Sequence, residues 1–237
     1  MSKILVFFLF FLSFFLLAGC ATKVGPGGQR ESRFDPRYLA KTEIDRVIDT
    51  NRAEIMDGLQ RVAEKLYRRN PQEWRKSAQS SRAAALKRLF SENARFSEIE
   101  GRREGDAALF AFNPKYQGDR VLAVMAGLID MVDAAFEYKR DFYILDDLNE
   151  QKLYNCARNV EIAIWKMSST RNANGSLLLL SNELDPANPN LSFEREFGRI
   201  IALLDFMSKI VADKNGRLIT RVTQSVATAI FLPVGSL

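Results

Sequence analysis

Residues 119–147 read DRVLAVMAGLIDMVDAAFEYKRDFYILDD, and their pattern indicates the architecture of the whole chain. Apolar residues recur at spacings of three and four, the period of an α-helix. They form a wide face that contains Val121, Leu122, Val124, Met125, Leu128, Ile129, Val132, Ala135 and Phe136. In the next segment, residues 148–168, Ile162 and Trp165 broaden the apolar face further, and a helix that is apolar over most of its circumference belongs at the centre of a bundle. We therefore predict a long amphipathic helix over 119–147, and we expect the helix over 148–168 to lie at the centre of a bundle.

The same stretch carries four acids, Asp130, Asp133, Glu137 and Asp141, at positions i, i+3, i+7 and i+11. One continuous helix would align them as an acidic stripe opposite the apolar face. Paired carboxylates perform acid–base chemistry on sugars when one of them is desolvated, so the Asp130/Asp133 pair is a candidate for a hydrolase acting on peptidoglycan. The simpler interpretation, which we favour, is the solvent side of an amphipathic helix.

Five further segments have the helical period. They are a segment that follows Asp35-Pro36 and ends near Arg69, and residues 71–91, 148–168, 191–213 and 217–231. We therefore predict an all-α chain that forms a single bundle of about six helices. Residues 107–112 are too few to separate a helical turn from a strand, and residues 177–180 are expected to be a short core piece between two loops. Asn215-Gly216 is a helix stop signal.

The chain begins with one positive residue, Lys3, and an apolar run over residues 4–17 in which Ser13 is the only polar residue. This order is typical of a secretory signal peptide. The run has 14 residues, fewer than the roughly twenty that a helix needs to span a bilayer. A permanent transmembrane helix is therefore the weaker interpretation.

The apolar run ends in Leu17-Ala18-Gly19-Cys20, which resembles the lipobox of bacterial lipoproteins. The resemblance implies cleavage before Cys20 and acylation of that cysteine, on its sulfur and on its new amino group. Ala21 follows the cysteine, rather than Asp, which resembles the lipoproteins sent on to the outer membrane. Two or more acyl chains hold a protein firmly on a bilayer, whereas one holds it only marginally.

These features divide the chain into a signal peptide (1–19), an acylated Cys20 with a flexible glycine-rich tether (20–33) and a helical periplasmic domain (34–237). Removal of residues 1–19 takes away Lys3 and no acid, so the net charge falls from +5 to +4. So small an excess of positive charge gives no reason to expect a nucleic-acid partner.

The sequence contains no histidine, which excludes Ser-His-Asp catalysis, Cys-His catalysis and every zinc site that needs histidine. We expect no catalytic residue, no cofactor and no metal. Cys156 lies on an apolar helical stripe and is expected to be a buried, inert thiol. Glu161 interrupts the same helix, either as a partly buried carboxylate with a raised pKa or, as we favour, as the partner of Arg158 three residues earlier.

The C-terminal residues 226–234 are mostly apolar and too few to span a bilayer. Packing against the bundle is the favoured interpretation, and docking into a partner or touching the membrane is the alternative. Taken together, the features predict a non-catalytic lipoprotein of the outer membrane that faces the periplasm and binds or assembles an envelope protein. The alternatives are a peptidoglycan hydrolase that uses Glu161 or the Asp130/Asp133 pair, and a carrier of an apolar ligand.

Overall fold

The computed structural model describes residues 22–24, 30–32, 41–92, 94–183, 187, 189–216, 219 and 230–235. These ranges contain seven α-helices, which confirms the predicted all-α bundle. A 3-10 helix, Ser97–Ile99, precedes the fourth of them. The α-helices are α1 (Glu43–Arg69), α2 (Pro71–Lys76), α3 (Arg82–Leu89), α4 (Glu104–Phe110), α5 (Arg120–Ala135), α6 (Glu150–Ser169) and α7 (Ser192–Asn215).

Two short strands lie within the segment 20–33. Strand β1 (Thr22–Val24) pairs antiparallel with β2 (Arg30–Ser32), with Lys23 opposite Glu31. A two-stranded hairpin of this length is at most marginally stable by itself. Within the ranges that the structure describes, every helix is too short or too polar to cross a bilayer.

Helix α5 is the centre of the bundle, because 13 of its 16 residues are buried. The sequence favoured the following helix, α6, for that place, but only 11 of its 20 residues are buried. Its closest neighbour is α4, and the two backbones meet at Gly127. A Cβ atom on Gly127 would lie 2.5 Å from the carbonyl oxygen of Glu104 and 2.5 Å from the amide nitrogen of Ala108. Only glycine permits this approach of two helix backbones.

Helices α1 and α7 run antiparallel along one side of the bundle. The Lys65 ammonium donates to the carbonyl oxygen of Ser192, at the start of α7, and Asn51 donates to that of Leu203, further along α7. The start of α1 and the end of α7 therefore lie at the same end, which we call the N-terminal end of the bundle. The loop 136–149 lies there too, because Asn215 donates to the carbonyl oxygen of Leu148.

The predicted helix over 119–147 is too long, because α5 ends at Ala135. Glu137 and Tyr138 follow in the left-handed conformation, with φ angles of 53° and 56°. The chain then folds back so that the rings of Phe136 and Phe142 meet edge to face, 6.1 Å apart. Burial of both rings explains the turn: a straight helix would carry Phe142 away from the core.

The predicted helix over 71–91 is divided in two. Helix α2 ends at Lys76, Ala78 has a φ angle of 52°, and α3 begins at Arg82. The Ser81 hydroxyl accepts a hydrogen bond from the amide of Ala84 and caps α3. Serines that cap a helix compete with its continuation, which explains the break.

Other boundaries agree with the sequence or settle what it left open. Of the segment 107–112, residues 107–110 belong to α4 and the last two form a turn. Helix α7 ends at Asn215 with Gly216 in the left-handed conformation, as predicted. Of residues 177–180, Leu179 is fully buried and Leu180 is exposed. Two predictions fall outside the described residues: the helix start at Asp35-Pro36 and most of the helix over 217–231. The first described helix, α1, begins at Glu43 and is capped by Thr42.

Candidate functional site

A groove of about 980 Å³ lies between α1, α3, the segment 94–103 and α5. Its floor is apolar and is formed by Met56, Leu89, Phe90, Phe96, Ile99, Ala107, Ala126 and Ile129. Five arginines line its walls, against two acids, Asp130 and Asp133. The arginines are Arg52, Arg95, Arg102, Arg103 and Arg140. The groove thus combines an apolar floor with a positive rim.

Asp130 connects the centre of the bundle to the start of α4. Its two carboxylate oxygens accept hydrogen bonds from Arg103, at 2.6 Å from Nη2 and 3.0 Å from Nε. The backbone amide of Glu104 donates to the same carboxylate at 3.0 Å. A two-point guanidinium–carboxylate contact fixes both groups. Asp130 therefore has a structural partner on each oxygen.

The other three acids of the predicted stripe pair with cations from three different elements. Asp133 accepts from Arg52 of α1 at 2.5 Å. Glu137 accepts from Lys152 of α6 at 2.9 Å, and Asp141 accepts from Lys41, before α1, at 2.8 Å. The prediction of one continuous acidic stripe on a solvent face is therefore wrong, because the helix ends between Asp133 and Glu137 and each acid joins a separate neighbour.

Glu161 has the partner that the sequence predicted. Its carboxylate lies 3.1 Å from Nη1 of Arg158, whose Nη2 donates to Asp205 at 2.7 Å. Partial burial raises the pKa of Glu161, the Arg158 charge opposes that rise, and the Asp205 charge adds to it. Glu161 lies on α6 and does not line the groove.

Cys156 is fully buried, as predicted. Burial raises the pKa of its thiol strongly, and the nearby charge of Glu104 adds to the effect. A thiol that stays protonated in an apolar interior is a poor nucleophile.

A buried polar cluster at the start of α5 was not predicted. Asp119 is inaccessible to solvent and accepts hydrogen bonds from the Tyr67 hydroxyl at 3.0 Å, the Ser77 hydroxyl at 2.9 Å and the Leu122 amide at 2.9 Å. Burial raises the pKa of Asp119, and these hydrogen bonds oppose the rise. The residue before an apolar run signals a helix cap, but nothing in the sequence identifies Tyr67 as its partner.

Glu73 and Arg120 complete this cluster. Glu73 accepts from the Arg120 amide at 2.7 Å and from the Lys76 ammonium at 2.7 Å. The Arg120 guanidinium donates to the carbonyl oxygens of Asn113 and Tyr116 at 2.9 and 2.6 Å. It also donates to the carbonyl oxygen of Ala111. The cluster is enclosed and its polar atoms have partners, so it holds α1, α2 and α5 together and offers no open site.

The described C-terminal residues pack on α6, as the favoured interpretation predicted. Asn159 exchanges two hydrogen bonds with the backbone of Leu232, and Asn155 donates to the carbonyl oxygen of Pro233. Val234 is fully buried. Residues 226–229 and Cys20 lie outside the described residues.

Among the described residues, no group of three or more cysteines and acids has the arrangement of a metal site. Comparison of the chain with models of protein families, with characterised proteins and with solved structures finds no significant match.

Proposed function

We propose that this chain is a bacterial lipoprotein, acylated on Cys20, that binds an envelope protein at the periplasmic side of the outer membrane. The proposal unites two features: the lipobox-like Leu17-Ala18-Gly19-Cys20, and the arginine-lined groove, which is the observation that carries the binding role. We propose that the groove receives an acidic, amphipathic segment of the partner.

The charges of the groove support an acidic partner. Arg95 is exposed and forms no ion pair with any residue in the described ranges. Among the described residues Arg140 pairs with Glu92, and both side chains are largely exposed. Arg102 has a similarly exposed partner, Glu100. Exposed ion pairs contribute little to stability, about 0–1 kcal/mol, so carboxylates of a partner can replace them at small cost.

The floor of the groove supports an amphipathic partner. Arg102 lies over the Phe110 ring, with 3.8 Å between the guanidinium carbon and the ring centroid. Arg88, behind the groove, stacks on Phe96 and pairs with Glu98 at 2.6 Å. These contacts hold the walls in place around apolar side chains. Apolar anchors surrounded by arginines are a common composition for a protein-binding surface.

The two acids of the groove favour binding over hydrolysis. A glycosidase needs one carboxyl that can donate a proton and a second that is free to act as base or nucleophile. In this groove both oxygens of Asp130 have protein donors, and Asp133 pairs with Arg52. Each of the two carboxylates is therefore already bound to an arginine of the protein. This supports a non-catalytic role.

A carrier of an anionic apolar ligand is the second candidate, because the same apolar floor would accept an acyl chain and the arginines its charged group. Native mass spectrometry of the purified protein separates the two. The carrier role predicts a bound lipid of defined mass that is lost in Ile129→Asp, whereas the protein-binding role predicts no bound lipid.

Site-specific photo-crosslinking in intact cells tests the protein-binding role. A photoreactive residue replaces Arg95, in the groove, or Arg195, an exposed arginine of α7 outside it. We expect Arg95 to crosslink to one envelope protein through an acidic segment, Arg195 not to do so, and Cys20→Ala to abolish the crosslink. Equal crosslinking at both positions, or none at Arg95, would contradict the proposal.

A further inference from the structure

The loop between α5 and α6 presents two aliphatic side chains to solvent at the tip of a tight turn. Leu145 is 94% exposed and Ile144 is 62% exposed. They are the central residues of a turn over residues 143–146, closed by a hydrogen bond from the Asp146 amide to the Tyr143 carbonyl oxygen at 2.7 Å. Central turn positions usually hold polar residues, glycine or proline, so an Ile-Leu pair there is unusual.

The turn is held firmly at its base. The Asp146 carboxylate accepts a hydrogen bond from the Tyr143 amide at 2.9 Å and also pairs with Lys139. Phe142, just before the turn, is buried, and its amide donates to Asp49 of α1 at 2.9 Å. The two aliphatic side chains are therefore displayed by a fixed support, and the loop does not turn them inward.

The turn lies where the chain enters the bundle. The Lys41 ammonium donates to Asp141 at 2.8 Å and lies 4.9 Å from the centre of the Tyr143 ring. Only residues 21–40 separate Lys41 from Cys20. An acyl anchor on Cys20 therefore ties the N-terminal end of the bundle, with this turn, to the bilayer.

Other features of the same end suit a membrane surface. Helices α1 and α7, which lie side by side at this end of the bundle, carry three exposed apolar residues: Ile44, Val47 and Phe206. Lys209 and Lys214 are exposed on the last turns of α7. Exposed apolar residues mark an interaction surface, and lysines beside them are attracted by anionic headgroups.

We propose that the turn 143–146 is a second membrane contact, in which Ile144 and Leu145 insert into the interfacial layer of the leaflet that holds the acyl chains of Cys20. This inference rests on the lipidation in the proposed function. Two contacts fix the orientation of a domain on a bilayer, whereas one flexible anchor does not. Arg140 lines the groove and lies four residues before Ile144, so the inserted turn holds the groove beside the membrane surface.

Fluorescence quenching on the full-length acylated protein tests the insertion. The protein is reconstituted into vesicles of phosphatidylethanolamine and phosphatidylglycerol and labelled at Leu145→Cys. An added thiol is the accessible one, because Cys156 is buried and Cys20 is acylated. The matched control is Asn174→Cys, at the exposed turn that follows α6 at the opposite end of the bundle.

The label at position 145 should be quenched several-fold more by lipids with brominated acyl chains than the label at position 174. Aqueous iodide should show the reverse order. Equal quenching of the two labels by iodide would overturn the inference. A second label, at the neighbouring exposed position Asp147→Cys, tests the two aliphatic side chains themselves. It is compared in the unchanged turn and in a turn that carries Ile144→Ser and Leu145→Ser. The two serines should move the label from lipid into water.

The mass of the N-terminal peptide in the same sample separates the two proposals. An unmodified Cys20 would reject the lipidation, and with it the proposed function. An acylated Cys20 together with a water-exposed label at position 145 would reject only the insertion of the turn.

Discussion

Arg103 and Asp130 form a two-point ion pair across the junction of α4 and α5, with N–O distances of 2.6 and 3.0 Å. The pair gives Asp130, a candidate acid for sugar hydrolysis, a structural partner. The same arginine lies over the Tyr138 ring at 5.3 Å and donates to its hydroxyl at 3.1 Å. One guanidinium thus connects the segment before α4, helix α5 and the loop that follows it.

Replacing Asp130 with asparagine should lower stability and affect no chemical step. Arg103 is largely exposed, so we expect the free energy of unfolding to fall by only about 1 kcal/mol. Urea unfolding measures the change, and Asp57→Asn, an exposed acid of α1, is the control. Loss of a peptidoglycan-cleaving activity in Asp130→Asn, without loss of stability, would contradict the structural role.

The free energy of unfolding should fall far more on substitution of Asp119 than on substitution of Asp130. Asp119→Ala removes the acceptor of two hydroxyl groups and a helix cap, and it leaves the buried Tyr67 hydroxyl without its partner. We expect a loss of about 3 kcal/mol in the free energy of unfolding. Thermal and urea unfolding check this value, and a loss no larger than that of Asp130→Asn would show that the cluster does not hold the helices together.

Gly127→Ala and Gly198→Ala should have opposite effects. At Gly127 the added methyl group meets the backbone of α4 at 2.5 Å, so α4 and α5 must separate; we expect a loss of about 2 kcal/mol. At Gly198, in α7, nothing lies within 4 Å, so alanine should stabilise the helix by roughly 0.5–1 kcal/mol. Equal midpoints of urea unfolding for the two variants would contradict this helix crossing.

The ion pair between Arg88 and Glu98 supports the groove wall, and the stability that it contributes should be lost in acid. Hydrogen bonds from Arg88 hold the pKa of Glu98 below its usual range. A carboxyl whose pKa is lower in the folded state stabilises the fold above its unfolded-state pKa, about 4.3 for Glu. That stabilisation is lost as the pH falls through the lower, folded-state value.

The difference in Tm between the wild type and Glu98→Gln should therefore be full at neutral pH and shrink towards zero in acid. Glu54→Gln, an exposed glutamate of α1, should show little difference throughout. A Tm difference for Glu98→Gln that does not change with pH would mean that the charge of Glu98 is not what stabilises this wall.

Reversing a groove charge should weaken partner binding and leave the fold unchanged. Arg95→Glu places a negative charge on the rim at an exposed residue, so its effect on Tm should be small. Co-purification of the crosslinked partner should fall by an order of magnitude or so, as expected for a mismatched interfacial charge. Arg195→Glu, outside the groove, should retain the partner; equal losses in both variants would place binding elsewhere.

The sequence predicted what depends on local patterns. Helices α6 and α7 follow from apolar period and terminal signals such as Gly216, and the pairing of Glu161 with Arg158 follows from helical spacing. The end of α5 could not be predicted, because it depends on two phenylalanine rings meeting across a loop. The groove and the Asp119 cluster depend on contacts between residues far apart in sequence, which periodicity does not record.

The mass of the N-terminal peptide of the protein, isolated from cell envelopes, is the decisive measurement for lipidation of Cys20. We expect a chain that begins at Cys20, with acyl groups on its sulfur and its amino group, in the outer-membrane fraction. A chain that retains residues 1–19, or a cleaved chain with an unmodified Cys20, would contradict it.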